Sequence, residues 1–136
     1  MRNVAIVIFT ILALSGCGGD SGLAIVSGTV FYQGEPVEQG MIRFIPILGT
    51  KGPTSGAVIE NGTYEARARG GVPLGTHRVE IQAMRLMGET RPKELQGLDS
   101  IPEPMEQYLP EKYNTEAELT LTVESSGPIT RNFDLQ

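Results

Sequence analysis

The sequence predicts an all-β fold, an antiparallel β-sandwich of about seven strands. Glycine and proline are frequent, with 17 and 9 copies among 136 residues, and they divide the chain into short segments. The hydrophobic content of 40% is high enough to build a core and argues against disorder. Within the segments, apolar and polar side chains alternate with the two-residue period of half-buried strands.

The first five strands are expected at residues 25–32, 41–46, 56–60, 63–68 and 76–84. The first is rich in β-branched and aromatic residues and ends at the turn cluster 33–36. Asn61-Gly62 predicts a type I′ hairpin between the third and fourth strands, because both central residues of that turn need a positive φ. Residues 70–75 are expected to form the turn that precedes the fifth strand.

The alternation also predicts which side chains face the core. In the fourth strand, Tyr64, Ala66 and Ala68 share one face. In the fifth, Val79, Ile81 and Ala83 are expected to point inward.

The last two strands are expected at residues 119–123 and 129–135, joined by a turn at 125–128. Residues 85–118 show no two-residue period and include four prolines. A connection of this length is uncommon in a compact domain, so we expect a functional or partly disordered loop at about 85–118. Residues 93–98 are expected to form one helical turn.

The N-terminal segment has the three-part order of a secretory signal. A positively charged start is followed by the apolar residues 4–14 and by the small residues Ser15 and Gly16. The apolar stretch is too short to cross a bilayer, which takes about 20 residues. Cys17, the single cysteine, stands where cleavage is expected and has no disulfide partner within the sequence.

Leu14-Ser15-Gly16-Cys17 resembles the lipobox of bacterial lipoproteins. The resemblance implies that Cys17 is lipidated and that the chain is cut before it. Residues 1–16 would then be the signal peptide, 17–24 a flexible tether and 25–136 the β-sandwich domain. Because Gly18 rather than an aspartate follows Cys17, the same resemblance favours the outer membrane, with the domain facing the periplasm or the exterior.

Residues 27–40, followed by 61–64 and 73–81, resemble carboxypeptidase regulatory-like domains, which are transthyretin-like (prealbumin-like) sandwiches of seven strands. With the lipobox and residues 108–114, the chain is similar to small lipoproteins of the planctomycete type. Such domains serve as accessory or adhesion modules. The shared motifs are turn residues, which specify a fold better than a function.

The net charge of −5 is spread along the chain and forms no basic stripe, so nucleic-acid binding is not expected. His77 is the only histidine and is interpreted as a half-buried sandwich residue rather than a catalytic one. Asp99, Glu103 and Glu106 lack the spacing of a calcium loop and are expected to form a solvated acidic loop. No metal, cofactor or phosphate site is expected.

The segment from Tyr108 to Asn114 is the strongest candidate for a ligand or partner site. Two tyrosines, Tyr108 and Tyr113, bracket Glu111 and Lys112 in a connection of the kind that supports recognition. The competing interpretation is that both tyrosines fix the long connection to the sandwich.

We therefore expect a non-enzymatic lipoprotein that acts as a structural or protein-interaction module of the cell envelope. Its contacts would come from edge strands and the long loop. The alternative is a module that binds carbohydrate or another envelope polymer. Its partners would be the membrane, through the lipid anchor, and an envelope protein or a glycan.

Overall fold

The computed structural model describes residues 21–88, 93–95, 97 and 102–136. The predicted signal segment, Cys17 and Asp99 lie outside these residues. The described part of the chain contains no helix long and apolar enough to cross a membrane.

Twelve strands occur within the described residues, and short 3₁₀ turns occur at Ala68–Gly70, Lys93–Leu95 and Glu111–Tyr113. The strands are β1 (Leu23–Ala24), β2 (Val26–Tyr32), β3 (Glu35–Pro36), β4 (Gln39–Pro46), β5 (Ser55–Glu60), β6 (Thr63–Ala66), β7 (Val72–Pro73), β8 (Gly75–Leu86), β9 (Met105–Gln107), β10 (Thr120–Val123), β11 (Ile129–Thr130) and β12 (Phe133–Leu135).

The all-β prediction is confirmed, but the expected number of about seven strands is too low. Each predicted strand is present with bounds shifted by a few residues at most. The additional strands, β1, β3, β7 and β9, have two or three residues each and lie beside turns, where no two-residue period can be recognised. The expected turn at 70–75 contains β7, which pairs with β1.

One layer of the sandwich has the strand order β10-β8-β4-β5. Neighbours are antiparallel, with Ile42 opposite Ile81 between β4 and β8 and opposite Ala57 between β4 and β5. Strand β8 is long enough to pair with β10 near its start and with β9 near its end. The hairpin between β5 and β6 leads into the second layer.

The second layer is built around β2, which pairs with β6 and β3 on one edge and with β11 and β12 on the other. The pairing with β11 and β12 is parallel, which corrects the expectation of a wholly antiparallel sandwich. The chain crosses from β10 in one layer to β11 in the other, so it can join the far edge of β2 in the parallel sense.

A break at Arg131 and Asn132 divides the predicted last strand into β11 and β12. A Cβ atom at the neighbouring Gly28 would lie 1.9 Å from the carbonyl oxygen of Arg131, so only glycine allows this approach. The Tyr64 hydroxyl donates to the same carbonyl at 2.7 Å. The Thr29 N–H donates to the Asn132 side chain at 3.0 Å. These contacts hold the break in place.

The hairpin prediction at Asn61-Gly62 is confirmed, since both residues have positive φ, at 50° and 76°. Gln33 and Gly34 repeat this conformation, with φ of 51° and 82°, and turn β2 into β3. The predicted strand exit at 33–36 is therefore a second tight hairpin.

The core lies between the two layers and contains side chains from both. Phe44 of the first layer and Phe133 of the second each lie 6.2 Å, centroid to centroid, from the Tyr64 ring. The predicted inward residues of β8 are buried, as are Tyr64 and Ala66. Ala68 is exposed, because β6 ends at Ala66 and the chain turns away.

The described parts of residues 85–118 have more regular structure than the sequence analysis expected. Strand β8 continues to Leu86, and β9 returns along it, with Leu86 opposite Met105. The predicted helical turn at 93–98 occurs as the 3₁₀ turn Lys93–Leu95 within the described residues. The described part of the connection thus contains the β8–β9 pairing, followed by a segment packed on the sandwich edge.

Candidate functional site

The two ends of the sandwich differ in what they hold. At one end, which we call the entry end, β1 lies beside β7, and the carbonyl oxygen of Gly22 accepts from the N–H of Leu74 at 3.0 Å. Strand β8 begins there at Gly75 and runs to the opposite or far end. At about 3.3 Å per residue, Met84 lies about 30 Å along the strand from Gly75.

A groove of about 580 Å³ opens at the far end on the outer face of the first layer. We call it the methionine groove, because Met41, Met84 and Met105 line it together with Val58. Strand alternation turns these side chains outward, since their neighbours Ile42, Ile59 and Ala83 point into the core.

The register brings the apolar side chains of the groove together. Met41 is opposite Val58 of β5 and Gln82 of β8. Met41 is 46% exposed, Val58 is 58% exposed and Met105 is 39% exposed. Contiguous exposed apolar side chains indicate an interaction site, whereas single ones are common on any protein surface.

Among the residues that the structure describes, the charges that line the groove are all negative. Glu38 and Glu60 lie at its rim, close to Asn61, and no described lysine, arginine or histidine lines it. Neither carboxylate belongs to an ion pair among the residues that the structure describes. The groove therefore combines an apolar floor with two carboxylates that no described residue pairs.

Next to the groove, on the same face of the sheet, the charged side chains pair with each other. Glu80 is only 9% exposed and lies between two guanidinium groups. Its carboxylate oxygens are 2.5 Å from Arg43 and 3.0 Å from Arg78. We call these three side chains the charged row.

A smaller hollow of about 270 Å³ adjoins the groove and shares Glu38 and Met84 with it. Tyr108 forms one wall, its ring 6.0 Å from the Tyr32 ring and 4.9 Å from the Arg85 guanidinium carbon. Burial raises the pKa of Tyr108, and the charge of Arg85 opposes that rise.

The rest of the predicted 108–114 site belongs mainly to the structural framework. Tyr113 and Asn114 are buried, while Glu111 and Lys112 are exposed. The Tyr113 hydroxyl donates to the carbonyl oxygen of Gln136 and accepts from its N–H, both at 2.8 Å. The Asn114 amide donates to the carbonyl oxygens of Leu109 and Pro110.

Residues 108–119 also cover the edge of β8 that β9 and β10 leave open. The Tyr108 N–H donates to the carbonyl oxygen of Ala83, and the Val79 N–H donates to that of Leu119. Covering an edge in this way prevents unwanted strand pairing. Of the five predicted site residues, only Tyr108, Glu111 and Lys112 present surface to a partner.

His77 is completely buried at the entry end, rather than half-buried as expected. It faces inward between Pro46 of β4 and Leu121 of β10, its register neighbours. Neither ring nitrogen is in hydrogen-bond geometry with a described residue. Burial lowers the pKa of His77, and the nearby backbone of Gly75 and Leu121 opposes that fall. A catalytic histidine needs a carboxylate to orient its ring, and no described carboxylate bonds to His77.

The acidic residues of the long connection are not brought together in the described part of the chain. Glu106 pairs with Arg85 at 2.7 Å, Glu103 is exposed, and Asp99 lies outside the described residues. Among those residues, no group of three or more histidine, cysteine, aspartate or glutamate side chains could hold a metal ion.

In comparisons with known proteins, the chain matches no family model, no curated protein and no solved structure. The methionine groove was missed by sequence reasoning, although a signal was present. Met41 and Val58 stand at outward positions of strands whose inward positions are already apolar. An apolar residue on the polar face of a strand is the pattern that would have identified the groove.

Proposed function

We propose that the protein is a non-enzymatic, lipid-anchored module of the cell envelope that binds another envelope protein through the far end of its β-sandwich. The single observation that supports this most is the position of the methionine groove, at the end opposite to β1. A partner that approaches from the side away from the membrane would meet the groove first.

The proposed anchor is Cys17, only six residues before Leu23. Six residues span at most about 20 Å when fully extended, so the entry end would stay near the bilayer surface. More than one acyl chain is needed for stable anchoring, and lipoprotein processing provides this. The far end would then project into the periplasm or the exterior.

The resemblance of residues 27–40 to carboxypeptidase regulatory-like domains favours the same proposal, because those domains serve as accessory or adhesion modules. The exposed apolar side chains of the groove add an independent reason. Apolar surface rimmed by polar residues is typical of protein-interaction sites.

A photo-crosslinking amino acid placed at Val58 of the native lipoprotein in intact cells tests the proposal. The matched control places it at Leu48, which is 86% exposed but lies at the entry end. We expect a discrete crosslinked protein from position 58 and none from position 48. The product should disappear when Cys17→Ser prevents anchoring, and equal crosslinking from both positions would contradict the proposal.

The alternative function is binding of carbohydrate or another envelope polymer, and the hollow at Tyr108 is the observation that favours it. It joins an aromatic ring to the carboxylates of Glu35 and Glu38 and to the Arg85 guanidinium. Sugars are bound by such mixtures of ring surface and polar groups. Loss of binding to purified envelope polymer in Tyr108→Ala, with binding retained in Lys112→Ala, would support it.

A further inference from the structure

We infer that the methionine groove binds a polypeptide segment of the partner in which a lysine or arginine is flanked by apolar residues. This inference rests on the proposed function and adds the chemistry of the bound segment.

The charge of the rim specifies a basic residue. Glu38 and Glu60 are held close to each other, because the N–H of Asn61 donates to the carbonyl oxygen of Glu38 at 2.9 Å and Gln39 is opposite Glu60 in the register. Both carboxylates line the groove and neither is neutralised by a described neighbour. A cationic side chain is the complement that also steers association.

The floor of the groove specifies apolar neighbours for that basic residue. Methionine side chains are flexible and polarizable, so Met41, Met84 and Met105 can adapt to apolar side chains of different shape. Val58, more rigid than these, adds apolar surface at the edge of the floor.

A second copy of this chain fits the groove less well than a basic segment. A two-fold interface centred on the groove would set one concave surface against another. It would also bring the two rim carboxylates of one copy against those of its partner, and like charges in contact are unfavourable. The concave shape and the single sign of charge both favour an inserted segment.

Methionine methyl NMR of the processed, full-length lipoprotein tests the inference. The protein is labelled with ¹³C-methyl methionine and held in nanodiscs of zwitterionic phosphatidylcholine, to which a cationic peptide has little electrostatic attraction. The probe is a short peptide of alternating leucine and lysine. The matched peptides replace lysine with glutamate or leucine with serine.

We expect the leucine-lysine peptide to shift the methyl signals of Met41, Met84 and Met105, with Met87, which does not line the groove, as reference. Both matched peptides should bind more weakly. Glu38→Gln combined with Glu60→Gln should weaken binding by about fivefold and reduce its dependence on salt, the scale expected for two exposed ion pairs. Glu116→Gln combined with Glu124→Gln removes the same charge elsewhere and should change nothing.

Equal binding of the glutamate peptide, or shifts confined to Met87, would overturn the inference. Groove signals that move with protein concentration in the absence of peptide would also overturn it and indicate a second copy as the occupant. Crosslinking from position 58 without peptide binding would leave the proposed function standing and remove only this chemistry. Peptide binding without crosslinking in cells would leave the groove chemistry standing and remove the proposed function.

Discussion

The two ends of the sandwich depart from ordinary burial in opposite ways. At the entry end, the polar ring of His77 is enclosed among apolar neighbours without a hydrogen bond from the described residues. At the far end, Met41, Val58 and Met105 expose apolar surface beside two carboxylates that no described residue pairs. A buried unpaired polar group costs stability, whereas exposed apolar surface leaves free energy available for binding. The comparison predicts that mutations at the two ends change different properties.

The largest effect on stability is expected at Tyr113, a buried residue beside the far end. Tyr113→Ala removes a buried ring and both hydrogen bonds to Gln136, so unfolding should become easier by about 3–5 kcal/mol. Equilibrium unfolding in urea measures this. Tyr113→Phe retains the ring and should cost only about 1–2 kcal/mol. If Tyr113→Ala proved as mild as a groove mutation, the distinction between the framework and the groove would fail.

Acid should destabilise the entry end through His77. Burial lowers its pKa in the folded protein from the ordinary value of 6.5, so below that pH the unfolded chain binds a proton that the folded one resists. The stability contributed by neutral His77 is therefore complete above about pH 6.5 and falls by up to about 1.4 kcal/mol per pH unit below it. Urea unfolding between pH 7 and pH 5 measures the slope.

His77→Leu is the matched variant for this pH dependence. It should be more stable than the unmutated protein by about 1–3 kcal/mol at pH 7, because an unpaired polar group is replaced by an apolar one. Its stability should change less over the same acid range. An unchanged slope would show that other groups cause the acid dependence.

A smaller effect should separate the charged row from the groove. Glu80→Gln leaves Arg43 and Arg78 facing each other without a carboxylate and should cost about 1–2 kcal/mol, less at high salt. Glu60→Gln removes an unpaired carboxylate and should change the free energy of unfolding by less than about 0.5 kcal/mol. Equal costs would mean that the groove carboxylates also stabilise the fold.

The smallest effect on folding is expected from the groove floor. Met41→Ser and Met105→Ser should each change stability by less than about 1 kcal/mol, because both side chains are partly exposed. The crosslink from the far end should nevertheless weaken or disappear. Urea unfolding and crosslinking of the same variants give both values, and a large loss of stability would mean that these side chains belong to the core.

The predictable part of the fold was the part encoded by local patterns. Alternation located β8 and its inward Val79, Ile81 and Ala83, and Asn61-Gly62 located a hairpin. The pairing of β9 with β8 was not predictable, since only tertiary contact makes a strand of Met105–Gln107. Nor was the parallel pairing of β11 and β12, which depends on Gly28 admitting the backbone at Arg131.

The candidate site was predictable only in part, because it too depends on contacts between distant parts of the chain. Residues 108–114 have a recognition-like composition, but the burial of Tyr113 depends on its bonds to the distant Gln136. The groove needs Glu38, Val58, Met84 and Met105 to meet from four segments of the chain. Met41 and Val58 stand at outward positions of their strands, and only the register shows that they are neighbours.

The parallel pairing of β2 with β11 and β12 affects the order of folding. Thr29 and Asn132, which bond across it, are separated by 103 positions. Contacts between such distant residues slow folding, because a large loop must close before they contribute. A chain emerging from its amino-terminal side would therefore present an incomplete second layer until residues 129–135 arrive. We expect refolding in milliseconds to seconds, and a tendency of the incomplete fold to aggregate meanwhile.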